Sequence, residues 1–214
     1  MAQKSEKPGK REERRAALRM AVLAAARELL VTRGYDALTM RELADRVHYA
    51  PATLYLHFSD KADLIRQLLA DDFRALNAWL YARLAGVADP VARLRGFAAD
   101  YVEYARANPA TYRLLFMTTG LPNPQDVPAL GAPRRGDEAE DGYAFLVRTV
   151  ADAVAATGSP ADAETVAQMI WAALHGVIAL RMAQPLDSWV PWADAEPQAR
   201  EMVEILLARY FPGR

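Results

Sequence analysis

Apolar residues recur every three or four positions along most of the chain and nowhere alternate over any useful length. That is the period of helices with one buried face, and it predicts an all-α fold of about nine or ten helices. Leu18, Val22, Ala25, Ala26, Leu29 and Leu30 form the first apolar stripe, and Gly34 is placed to end its helix. Thr39 with Glu42 three residues on marks a second helix start, burying Leu43, Ala44 and Val47. Pro51 suits the first position of a third, very short helix running to about His57. Ser59 or Asp60 then caps a long helix that reaches Leu84. Downstream, Asp89-Pro90, Asn108-Pro109, Ser159-Pro160 and Glu196-Pro197 each set a polar residue and a proline before an apolar periodic run, so each predicts a helix start. The Pro- and Gly-rich run 118–136 reads as a loop and "SWVPW" at 188–192 as a second break.

Composition adds constraints. The 214 residues are 52% apolar, enough for a real core. The formal net charge of −1 argues by itself against a nucleic-acid partner, but its distribution changes that. Residues 1–64 carry 12 Lys/Arg against 9 Asp/Glu, a net of +3, and the remainder carries 14 against 18, a net of −4. A basic front end precedes an acidic body. The absence of cysteine excludes disulfides, thiolate metal sites and a Cys nucleophile, and fits a reducing compartment. There is no P-loop, GxSxG or HExxH, and the three histidines are well separated, so no enzyme, cofactor or metal is expected. No stretch approaches the roughly 18 apolar residues of a membrane span. The charged "MAQKSEKPGKREERR" has no apolar segment behind it, so no secretory signal is expected and the chain is read as cytoplasmic.

The informative stretch is "TMRELADRVHYAPATLYLHFSDKADL", residues 39–64. Helix, tight turn and second helix is the layout of a helix-turn-helix, whose second helix enters the DNA major groove while the first crosses the backbone. Pro51, Ala52 and Thr53 are small enough for close approach to bases. Thr53, Tyr55 and His57 can donate to phosphates or base edges, and Leu54 and Phe58, four apart, would face inward. Lys61 starts the next helix, where its ammonium and the open backbone N–H groups could meet one phosphate. An ordinary corner between two core helices has the same outline, and His57 could be a purely structural hydrogen-bonding residue.

This stretch resembles the DNA-binding domain of the TetR family of transcriptional repressors, whose recognition helix ends T-L-Y-x-H-F and is followed by Lys and Leu. Thr53, Leu54, Tyr55, His57, Phe58, Lys61 and Leu64 match in order and spacing. The resemblance implies that Arg41, Thr53, Tyr55, His57 and Lys61, with Pro51 and Ala52, lie at DNA-contact positions. It implies a basic flexible arm over 1–14, a three-helix helix-turn-helix domain over 15–65, and a ligand-binding and dimerisation domain over 66–214. Where the family usually has Gly, a small aliphatic residue and Ser or Thr in the turn, this chain has His48, Tyr49 and Ala50. His48 tolerates a left-handed backbone better than most residues, whereas Ala50 is a poor cap and leaves the helix start to Pro51.

"WAALHG" at 171–176 is similar to a Trp…His-Gly motif in one subgroup of TetR-like C-terminal domains. The resemblance implies a small-molecule pocket within helices from about Asp89 to Met182. It also implies that the helices at 161–182 and 196–210 pair with a second subunit. There Ala167, Ala172, Ala173 and Gly176 would allow close approach, and Ile170, Val177, Met202, Leu206 and Tyr210 would supply apolar contact. Trp79, Tyr101, Tyr104, Phe116, Phe145, Trp171 and His175 are the candidate effector contacts, although most such aromatics serve as core and His175 can be a satisfied core histidine. The expectation is a ligand-responsive repressor that binds a palindromic double-stranded DNA operator as a homodimer and is released by a small apolar or aromatic effector. The alternative is a helical small-molecule-binding or adaptor protein without DNA binding.

Overall fold

A computed structural model of the chain describes residues 8–121, 136–137, 141–183 and 190–213. Among them are nine helices and no strand: α1 Pro8–Ala37, α2 Met40–Arg46, α3 Pro51–Leu54, α4 Lys61–Leu84, α5 Pro90–Ala107, α6 Pro109–Met117, α7 Gly142–Thr157, α8 Ala163–Ala183 and α9 Ala195–Tyr210. They fall into two compact units. The first is drawn from Met1–Ala70 and Leu114–Ala132, the second from Asp71–Arg113 and Pro133–Arg214. The expected boundary at 65–66 lies inside α4, which contributes to both.

In the first unit, the α1 stripe of Leu18, Val22, Ala26, Leu29 and Leu30 packs with Leu43 and Ala44 of α2, Leu54 of α3, and Leu64, Ile65 and Leu68 of α4. Full burial of each large aliphatic side chain stabilises by about 1.5–3 kcal/mol. Gly34 breaks α1 at φ 78° and ψ 175°, where an L side chain would be strained. Thr39 Oγ1 accepts from the Glu42 N–H at 3.1 Å and starts α2. Asp60, rather than Ser59, caps α4: its Oδ1 accepts from the Asp63 N–H at 2.7 Å, and Asp63 Oδ2 accepts in return from the Ser59 N–H at 2.8 Å. Residues 8–14, assigned from the sequence to a flexible arm, extend α1 instead, and the described side chains there are exposed. Residues 1–7 lie outside the described set.

In the second unit, α5 packs on α7, α8 and α9, and α8 packs on both α7 and α9. Asp89 caps α5 as expected, accepting from the Val91 N–H at 3.0 Å. Ser159-Pro160 does not start α8. Asp162 takes that role, accepting from the Thr165 N–H at 2.8 Å, while Ser159 Oγ accepts only a longer 3.3 Å bond from the Ala161 N–H. Gly142 opens α7 with its N–H donating to Asn77 Oδ1 at 3.0 Å, and a Cβ at this glycine would lie only 2.5 Å from that oxygen. Most of the expected loop at 118–136, from 122 to 135, lies outside the described residues, as do residues 188 and 189 of the second break.

Two readings of α8 are corrected, one by burial and one by composition. Ile170, Ala167 and Val177, expected to meet a partner subunit, are buried in the protomer's own core. And α8, contrary to the sequence reading, is long and apolar enough by length and composition to cross a membrane. That character is split between a face built into the core and a second face bearing Met169, Ala172 and Leu180.

Candidate functional site

The turn between α2 and α3 closes by backbone bonds alone. The Tyr49 N–H donates to Ala44 O at 2.9 Å and the His48 N–H to Asp45 O at 3.2 Å, the Schellman pattern that ends a helix. That pattern requires a left-handed residue, and His48 supplies it at φ 60°, the one non-glycine residue with positive φ among those described. Ala50 makes no side-chain cap bond, so Pro51 opens α3 unaided. α3 is shorter than the expected run to His57. After Leu54 the regular ladder stops, because the Leu56 and His57 N–H groups donate only three residues back, to Thr53 O at 3.2 Å and Leu54 O at 2.9 Å. Leu54 and Phe58 are both fully buried, and this anchors the helix from beneath.

The outer surface follows from that anchoring. Arg41, Pro51, Ala52 and Tyr55 are exposed, and Thr53, His57 and Lys61 are half-buried. Leu56 is 74% exposed, unusual for leucine. The Lys61 ammonium sits 4.0 Å above the centre of the Tyr35 ring, which fixes a cation at the start of α4. Behind the surface, Arg19 Nη2 donates to Gln67 Oε1 at 3.2 Å, and Gln67 Nε2 donates to Asp63 Oδ1 at 3.2 Å. This ties α1 to the segment after His57. Burial and then the nearby Arg15 and Arg19 charges hold His57 below its ordinary pKa of 6.5, so it is neutral at pH 7.

The candidate effector residues fall mostly in the second unit, and three of them join a polar chain with a fourth side chain. Trp171 Nε1 donates to the Tyr101 hydroxyl at 2.9 Å. That hydroxyl stands 3.4 Å from the Tyr112 hydroxyl, which lies 2.8 Å from His175 Nδ1. Burial pushes the Tyr101 phenol up to about 12, pushes Tyr112 higher still, and lowers His175. Trp79 meets Tyr104 edge-on at 5.9 Å and carries the Arg83 guanidinium 3.5 Å above its ring centre. Phe145 meets Tyr81 edge-on at 5.5 Å. Phe116 belongs to the first unit. The sequence reading left Tyr112 out of its site set. Its only signal is an aromatic at helical spacing, and its partner His175 is 63 residues away.

One further surface is distinctive. On α8 and α9, Met169, Leu180 and Ile205 are 42%, 48% and 61% exposed, flanked by half-buried Met202, Leu206 and Tyr210. Tyr210 Oη donates to Met169 Sδ at 3.3 Å across the two helices. A Cβ added at Gly176 would meet nothing within 4 Å, so the backbone of α8 is open to close approach there.

Residues 22–68 match the model of the bacterial regulatory proteins, tetR family, and residues 94–208 match that of the tetracyclin repressor-like C-terminal domain. The HTH-type transcriptional activator FasR of Mycolicibacterium smegmatis is 34% identical over 115 residues, which are 54% of this chain and 51% of that protein. The HTH-type transcriptional repressor KstR2 of Mycobacterium tuberculosis is 31% identical over 99 residues, 43% of this chain and 48% of that protein. The chain thus spans about half the length of the curated relatives it matches. The crystal structure of the transcriptional regulator FadR from Bacillus subtilis in complex with stearoyl-CoA shares the fold, with a TM-score of 0.69 at 14% identity over 88% of this chain and 97% of that one. Matched by family models at its helix-turn-helix and over more than half its length, the chain belongs to the TetR family of transcriptional regulators.

Proposed function

We propose that this DNA-binding regulator is a ligand-responsive repressor, acting in the cytoplasm as a homodimer on a palindromic operator and released by a small apolar or aromatic effector. The observation that carries the reading is the outer edge of α3, with Ala52 and Tyr55 exposed and Leu54 and Phe58 anchored beneath. In this reading Tyr55 and Lys61 hold phosphates, Arg41, Thr53 and His57 lie nearer the bases, and the cations up to residue 14 follow the backbone. One head offers too few contacts for a specific site at cellular salt. Two heads about 34–36 Å apart, or a multiple of that, read a palindrome.

The apolar face of α8 and α9 is the surface that supports the dimer. The ligand-binding domain expected at residues 66–214 holds the effector, with Trp79, Tyr101, Tyr104, Phe145, Trp171 and His175 of the second unit as its contacts. A guest there biases the spacing of the two heads by its differential affinity, about 1–3 kcal/mol. Of the relatives, FasR carries the name of an activator and KstR2 that of a repressor. A reporter placed behind the bound operator decides the sign.

The deciding experiment is a gel shift with the DNA flanking the gene, run at about 50 and about 200 mM salt. Expected are retardation of a fragment containing a palindrome, strong salt dependence, and release by a member of a panel of stearoyl-CoA and aromatic acids. A folded chain that retards no flanking DNA at low salt would favour the small-molecule-binding or adaptor alternative.

A further inference from the structure

From Val47 to Phe58 the chain reads VHYAPATLYLHF, without a single Arg, Lys, Asn, Gln, Asp or Glu. Those are the side chains that read bases strongly: Arg and Lys take guanine, Asn and Gln take adenine in bidentate pairs, and Asp and Glu accept from cytosine. What α3 and its flanks present instead is largely apolar. Pro51 and Ala52 are exposed, Leu56 is more exposed than either tyrosine of the segment, and Thr53 adds a half-buried methyl. Tyr55, Thr53 and His57 contribute single hydroxyls and a ring nitrogen, which cannot form a bidentate pair. His57 adds no charge at neutral pH, since burial and the Arg15 and Arg19 cations keep it deprotonated. Positive charge lies around this edge rather than on α3, on Arg41 of α2 and on Lys61 of α4, the latter placed for a phosphate. In the major groove, the base feature that matches an apolar edge is the C5 methyl of thymine.

We propose that α3 reads thymine methyl groups: Ala52, flanked by Pro51 and Leu56, packs against the C5 methyls of the half-site, and T·A pairs specify the operator beneath this helix. The inference rests on the DNA-binding reading above and adds to it the class of sequence recognised. Guanine, where the half-site contains it, falls to Arg41 on α2. Selection of T·A pairs through groove shape alone would leave the methyl irrelevant, which gives a clean discriminator. Deoxyuridine keeps the pairing and the minor-groove pattern of thymidine and lacks only that methyl.

In the test, the full chain selects duplexes from a random-sequence library. The bound half-site is then rebuilt with deoxyuridine for thymidine, one position at a time. Kd should rise about fourfold for each methyl removed beneath α3 and stay unchanged elsewhere. In Ala52→Gly, thymine duplexes should bind more weakly and the uracil penalty should shrink towards one, with circular dichroism checking the fold. Leu56→Ala, at an exposed position outside α3, repeats the test without touching the helix. Equal affinity for thymine and uracil duplexes, or a selected half-site with G·C pairs beneath α3, overturns the proposal and leaves DNA binding intact. A chain that enriches no duplex at all overturns both.

Discussion

Tyr112→Phe removes one oxygen and tests whether the polar chain of the second unit is a made network. Tyr112 is fully buried. Its hydroxyl lies 2.8 Å from His175 Nδ1, a good bond, and 3.4 Å from the Tyr101 hydroxyl, beyond the usual range for a hydroxyl pair. The ring should stay in place, since it stacks on His175 and meets Tyr101 edge-on, both at 5.8 Å between centroids. The loss is therefore the His175 bond, with little from Tyr101. Removing one partner of a buried hydrogen bond costs about 1–3 kcal/mol, and the half-buried imidazole puts this case in the lower part, about 1–2 kcal/mol. At this chain length about 1 kcal/mol moves Tm by about 2–4 °C, so a fall of about 2–8 °C is expected by calorimetry at neutral pH. A double-mutant cycle with His175→Leu should return a coupling of about 1 kcal/mol, and one with Tyr101→Phe close to none. An unchanged Tm, or equal coupling in the two cycles, would refute the assignment of the bond to His175.

Three further outcomes follow from the same geometry. Lys61→Ala should weaken binding to all duplexes alike and make the log–log salt slope shallower by about one, measured by fluorescence anisotropy; lost discrimination at full affinity would contradict a phosphate role. Ile205→Glu should give folded monomers by light scattering that no longer bind operator, whereas Ile170→Glu, at a fully buried position, should lower stability by more than about 4 kcal/mol. A dimeric Ile205→Glu protein would exclude that face as the interface. His57 and His175 both have folded pKa values below the ordinary 6.5, so the folded state resists their protonation; stability is full above that value and is lost as pH falls below it. His175→Asn should therefore flatten the fall in Tm between about pH 7 and about pH 5, and a parallel curve would show that His175 does not contribute.

What was legible in the sequence was local. Thr39 with Glu42, Gly34, and Pro51 act within a few residues of where they stand, and each does in the fold what its chemistry implies. Even the departure at His48 could be read, because the left-handed turn is a property of one residue. The end of α3 could not. Its stop depends on Leu56 and His57 donating three residues back while Phe58 is drawn into a core built from α1 and α4. The start of α8 was misplaced because Ser159-Pro160 and Asp162 compete over four residues, and pattern alone does not rank them.

The same limit explains α8, and it bears on mechanism. The helix is apolar on most of its circumference, so periodicity cannot divide a face for the protomer from a face for a partner. In the fold, Ile170, Leu174 and Val177 close the core while Met169, Ala172 and Leu180 stay at the surface. Only one-third of the helix's most apolar stretch is buried in the described protomer, and in the proposed dimer a second copy covers the outer face. α8 also carries Trp171 and His175, the two ends of the chain through Tyr101 and Tyr112. In the proposed repressor, a guest that breaks into this chain acts on the very helix whose outer face holds the dimer. No separate pathway between effector and interface is then required, because a rotation of α8 that repacks Ile170 also moves Met169 and Leu180 on the adjoining face.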